Sequence, residues 1–69
     1  MNYKRLILEI INKNAPLGIQ KFDRLFYSIA DYSVSWTEIV KELRKDELLD
    51  EEEFILTEKG IEFLKQEGY

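Results

Sequence analysis

The stretch Asp46-Glu47-Leu48-Leu49-Asp50-Glu51-Glu52-Glu53-Phe54-Ile55-Leu56-Thr57 decides the fold of this 69-residue chain. Two short apolar runs, Leu48-Leu49 and Phe54-Ile55-Leu56, flank a wholly acidic tip, and the second run is made of residues that suit strands. The spacing predicts a small β-hairpin. Because the tip lacks the Asn-Gly or Asp-Gly pair that marks two-residue turns, its loop is expected to take about four residues. A continuous helix is the competing reading, since runs of Asp and Glu tolerate helix.

Immediately upstream, Val34-Ser35-Trp36-Thr37-Glu38-Ile39-Val40-Lys41-Glu42-Leu43-Arg44-Lys45 carries the most complete helix signal in the chain. Ser35 and Glu38 have capping-box spacing, and Val34 and Ile39 stand at the positions of a hydrophobic staple. Trp36, Ile39, Val40 and Leu43 form one apolar face. Glu38, Lys41, Glu42 and Lys45 form the opposite one, with Thr37 and Arg44 on its flank. Trp36 is read as a core anchor whose indole N–H reaches one partner.

Further back, Asp31-Tyr32-Ser33 interrupts the pattern with turn-forming residues. Before it, Phe22, Leu25, Phe26 and Ile29 define a second helix over residues 20–30. Ala15-Pro16-Leu17-Gly18 is the first turn, and residues 17–19 could form a very short extended piece paired with a later strand. The first helix is capped by Asn2, with Met1 and Leu6 at the staple positions. Its stripe of Tyr3, Ile7, Ile10 and Ile11 is widened by Leu6 and Leu8, so two buried sides are expected before it ends near Asn12-Lys13-Asn14. Downstream of the acidic tip, Thr57 caps a last helix with Leu56 and Ile61 as its staple. Ile61 and Leu64 point inward, and Gly68 suits the position just past the helix end.

Composition bounds the answer to one domain over residues 1–69, close to the lower limit for a core without covalent support. There is no cysteine, so disulfides and thiolate ligands are excluded and a reducing setting is favoured. No apolar run approaches a membrane span. The expectation is a soluble, cytoplasmic domain. The net charge of −4 hides an asymmetry: residues 1–45 carry eight basic and five acidic side chains, and residues 46–69 carry two and nine.

The order helix, helix, capped helix, hairpin, helix resembles a winged helix-turn-helix. The stretch Phe54-Ile55-Leu56-Thr57-Glu58-Lys59-Gly60-Ile61 is similar to the last wing strand and following helix of small winged-helix proteins. Regulators of the MarR and PadR kinds carry Leu-Thr-x-Lys-Gly at that junction. The resemblance implies a mainly α fold with a small β-hairpin, a recognition helix spanning residues 35–45 and a wing tip at residues 50–53. Two departures stand out. The family often has glycine where this chain has Glu47, and a wing that touches DNA carries Arg or Lys rather than four acids, which phosphate would repel.

Two functional expectations follow. The first is a nucleic-acid-binding domain of transcription-regulator type that contacts DNA through Ser35, Thr37, Lys41, Arg44 and Lys45, and pairs as a homodimer. The alternative is an acidic protein-interaction module without DNA binding, acting through Asp50, Glu51, Glu52 and Glu53. Catalysis has little support, because histidine, cysteine and a glycine-rich phosphate loop are all missing. No cofactor, metal or small-molecule substrate is implied: the acidic run lacks the spacing of a cation loop, and so short a chain has little room to enclose a pocket. Tyr27 and Tyr32 are noted as rings that packing explains as well as stacking on a ligand does.

Overall fold

In the computed structural model, which describes residues 2–67, Asn2 opens the first helix as its sequence suggests. Its side-chain oxygen accepts from the Arg5 amide at 3.1 Å, satisfying one of the donors that a first helical turn leaves free. Helix α1 (Tyr3–Asn14) then packs against each of the other three, α2 (Ile19–Tyr27), α3 (Trp36–Lys45) and α4 (Glu58–Glu67). That position explains its two apolar sides: Ile7, Leu8 and Ile11 are fully buried and Ile10 nearly so. Met1 and Gly68, assigned to a staple and a helix end, lie outside the described residues.

Phe22 and Phe26 carry α2 into the core, where Phe22 stacks on Phe54 at 5.0 Å and meets Trp36 edge-on at the same distance. Three expectations for this region are corrected. Ile19 opens the helix rather than forming an extended piece. The helix stops at Tyr27, three residues early, and Ile29 is 55% exposed while the small Ala30 turns inward. The local cause is a set of hydrogen bonds that turn the chain. Ala30 and Ile29 both donate to the Phe26 carbonyl, and the Ser28 hydroxyl donates to that of Leu25. Asp31 then accepts from the Ser33 amide, and the Tyr27 hydroxyl pins the Val34 carbonyl at 2.6 Å.

The hairpin is also corrected, and with it the winged helix-turn-helix architecture. The described residues contain no β-strand, only one isolated antiparallel bridge between Leu49 and Leu56. Among the described residues the fold is a small all-α arrangement of four helices. The competing reading, a continuous helix, fails too.

Both failures share a cause that lies in the end of α3. Leu48 N–H donates to the Leu43 carbonyl and Glu47 N–H to that of Arg44, at 2.9 and 3.0 Å. This is the paired pattern of a Schellman cap, whose pivot residue adopts the left-handed conformation. Glu47 has φ 64°, in the place where glycine would announce the motif. The cap ends the helix and sends Leu48 and Leu49 inward together, whereas a strand would alternate them across two faces. Asp50 finishes the distortion. Its carboxylate accepts from the amides of Glu52 and Glu53, both at 3.0 Å, and the resulting curl swings Phe54 into the aromatic cluster. Only Asp50 N–H to Ile55 O and Thr57 N–H to Leu48 O remain as cross-loop backbone bonds.

Thr57 caps α4 as expected, accepting from the Gly60 amide at 3.1 Å while its hydroxyl donates to the Glu47 carbonyl at 2.6 Å. The same residue thus starts one helix and holds the left-handed end of another. Gly60 is buried against that junction: a Cβ there would lie well inside contact distance of the Leu48 carbonyl oxygen and 3.3 Å from Leu56 Cγ. Ile61 was assigned to the interior, but it is 40% exposed. Leu64 and Phe63 are partly buried against the core.

A candidate interaction groove over α3

Helix α3 fixes its inner face by burying Val40 and Leu43 and half-burying Trp36 and Ile39. The outward residues then follow from the helical repeat: Thr37, Glu38, Lys41, Glu42 and Lys45 are all exposed. The start of the helix differs from the capping box. Ser35 makes no side-chain bond to the helix amides, because its hydroxyl is 2.9 Å from that of Thr37 instead. Trp36 behaves as anticipated, donating from Nε1 to Asp23 Oδ1 at 2.7 Å, which ties α3 to α2.

An open groove of about 690 Å³ runs over α3. Its lining takes Trp36 and Val40 from α3, a first wall from residues 16–19 and a second wall from residues 52–55. Its apolar rims are the feature that no sequence motif announced. Ile19, on the first wall, is 63% exposed, and Ile55, on the second, is 43% exposed. Their signal in the sequence is faint: Ile19 lies just before the patterned second helix and Ile55 inside the short run Phe54-Ile55-Leu56, and only the fold brings them to the same depression.

Of the residues assigned to DNA contact, the groove gathers Thr37, Lys41 and Arg44, while Ser35 and Lys45 lie outside its lining. Of the acidic run, it gathers Glu52 and Glu53, while Asp50 and Glu51 lie outside. The two sets that the sequence treats as rival sites therefore meet in one place. Arg44 joins them. Its Nε donates to the Asp50 carbonyl at 3.0 Å, and its guanidinium sits 5.6 Å from the centre of the Phe54 ring, a cation–π distance. The Asp50 carboxyl is held below its ordinary range, chiefly by the Glu52 amide, then by that of Glu53, with the Arg44 charge as a smaller contribution. Hydrogen bonding to the charged form has this effect.

The remaining charges are less engaged. Among the described residues, Lys41 and Lys45 make no ion pair, and neither do Glu51, Glu52 and Glu53. Glu42 turns to Lys4 at 3.7 Å rather than to the lysines of its own helix. Ile19 also borders a second open depression of about 740 Å³, lined by Asp23, Arg24, Tyr27 and Tyr32. There the two tyrosine rings stack at 4.8 Å, with Tyr27 partly buried and Tyr32 83% exposed.

Among the described residues, no cluster of His, Cys, Asp or Glu could hold a metal ion, and no helix is long and apolar enough to cross a membrane. Comparison with protein-family models, with curated proteins and with solved structures finds no match for this chain.

Proposed function

We propose that this domain is a non-catalytic protein-interaction module that docks a segment of a partner protein in the groove over α3. The observation that carries this reading is that Ile19 and Ile55, both uncovered, line one groove together with Trp36 and Val40. Exposed apolar surface rimmed by polar groups marks a contact site. The acidic wall supports the same reading, because Glu52 and Glu53 border the one helix face that would have to approach phosphate, and Arg44 is drawn toward that wall. The lack of cysteine supports a cytoplasmic setting.

DNA binding of the transcription-regulator type is kept as a second reading, on one observation: Ser35, Thr37, Lys41 and Lys45 are exposed along α3, and the two lysines make no ion pair among the described residues. One titration separates the two. Amide chemical shifts of the labelled domain are followed against an amphipathic helical peptide, and separately against mixed-sequence duplex DNA at ~50 mM salt, where a few phosphate contacts suffice for binding. Docking predicts that the peptide shifts Ile19, Val40 and Ile55 and that DNA shifts nothing. DNA-induced shifts at Ser35, Thr37, Lys41 and Lys45, with the groove silent toward peptide, would reverse the assignment.

A further inference from the structure

Resting on the docking reading, we infer the class of segment that the groove takes: an amphipathic helix with an apolar stripe, flanked by lysine or arginine on the side that faces the acidic wall. The helical form follows by comparing the recurrent modes of peptide recognition. Strand addition needs an exposed sheet edge, and the described residues contain no strand. Polyproline recognition needs a track of open aromatic rings, but Phe54 is buried and Trp36 is half-buried with its indole N–H committed to Asp23. What remains is an open trough in which the exposed aliphatic side chains of Ile19 and Ile55 join Trp36 and Val40, a form that receives the apolar stripe of a helix.

Charge sets the flank. Asp50 spends its carboxylate on two backbone amides and lies beside Arg44. Glu52 and Glu53 line the second wall with no ion-pair partner among the described residues, while Lys41 and Arg44 line the groove from α3. A helix whose cations meet that wall complements both glutamates, whereas an acidic flank would add like charge to it.

The test uses three peptides of about 18 residues, long enough for some five helical turns, with one leucine stripe and flanks of Lys, Gln or Glu. Trp36 is the sole tryptophan and lies in the groove, so its emission reports binding directly. The Lys peptide is expected to bind roughly 10-fold more tightly than the Glu peptide at ~20 mM salt, the gap narrowing at ~500 mM as screening shortens the reach of exposed charges. The double variant Glu52→Gln, Glu53→Gln, at two exposed positions, should shrink the preference to below about 3-fold. Two prolines placed mid-peptide should abolish binding by breaking the helix.

Equal affinity for all three flanks would overturn the charge assignment while leaving the docking reading intact. Undiminished binding of the proline peptide would overturn the helical form. No change in Trp36 emission with any peptide would overturn this inference and the docking reading together.

Discussion

Replacing Gly60 with alanine adds one methyl group at the most constrained point of the fold. The new Cβ would press on the Leu48 carbonyl oxygen, with Leu48 C at 3.1 Å and Leu56 Cγ at 3.3 Å. The nearest obstacle is backbone, so rotating a side chain cannot relieve it. To make room, the first turn of α4 must lift from the loop, lengthening the Thr57 N–H to Leu48 O bond that is already 3.2 Å. Overpacking costs about 1–3 kcal/mol, and a weakened backbone bond adds about 1. Against this, alanine is favoured over glycine within a helix by about 1 kcal/mol.

The net loss is therefore about 2 kcal/mol, or roughly 10 °C of melting temperature in a domain of this size. Thermal unfolding followed by far-UV circular dichroism measures it. Gly18→Ala serves as the control, because a Cβ there meets nothing within 4 Å, and it should change stability by no more than about 0.5 kcal/mol. A Gly60→Ala protein as stable as the original, or more stable, would show that helix propensity prevails and that α4 is not seated on the Leu48 carbonyl.

Further substitutions address the caps and the loop. Glu47 holds φ 64° and its contact with Lys59 is 3.9 Å long and exposed, so Glu47→Gly should raise stability by about 0.5 kcal/mol, the left-handed strain relieved exceeding the entropy gained by the unfolded chain; a lower urea midpoint would contradict this. Asn2→Ala and Thr57→Ala should each cost about 1 kcal/mol in urea unfolding, since both cap helices, whereas Ser35→Ala should cost under about 0.5 because its hydroxyl caps nothing. A full capping penalty at Ser35 would restore the capping box. Asp50 is depressed by backbone hydrogen bonds, so its contribution is present above the ordinary aspartate range and is lost as pH falls through the lower folded-state value. The Asp50→Asn chain should therefore be less stable than the original near neutral pH, with the two urea midpoints converging in acid; a constant gap would remove the carboxylate from the account.

Local pattern was sufficient for much of this protein. The Asn2 and Thr57 caps, the stripe of Ile7, Ile10 and Ile11 and the outward face of α3 each depend on residues within about one or two helical turns of one another, and each is readable in order along the chain. Gly60 belongs here in part: the sequence displays the glycine in Leu-Thr-x-Lys-Gly, but only the seating of α4 on the Leu48 carbonyl explains why a side chain is excluded. Other local signals gave way where tertiary contacts competed with them. Ile29 and Ile61 have the right period for the core, yet α2 stops early and α4 offers only part of its face.

The segment from Asp46 to Thr57 shows the boundary most clearly. Its apolar and acidic runs favour a hairpin over a continuous helix, yet neither forms, because apolar runs of two and three residues carry too few hydrogen bonds to hold a strand pair against competing contacts. The decision came from outside the segment: a Schellman cap on α3 that needs Glu47 left-handed, and an aromatic cluster that draws Phe54 inward. The groove is a product of the same packing. Sequence alone determined which helices form and which way most of them face; the joining of Ile19, Arg44 and Ile55 around one depression was set by how α1 holds the other three helices together, since proximity between distant residues is a property of packing and not of spacing.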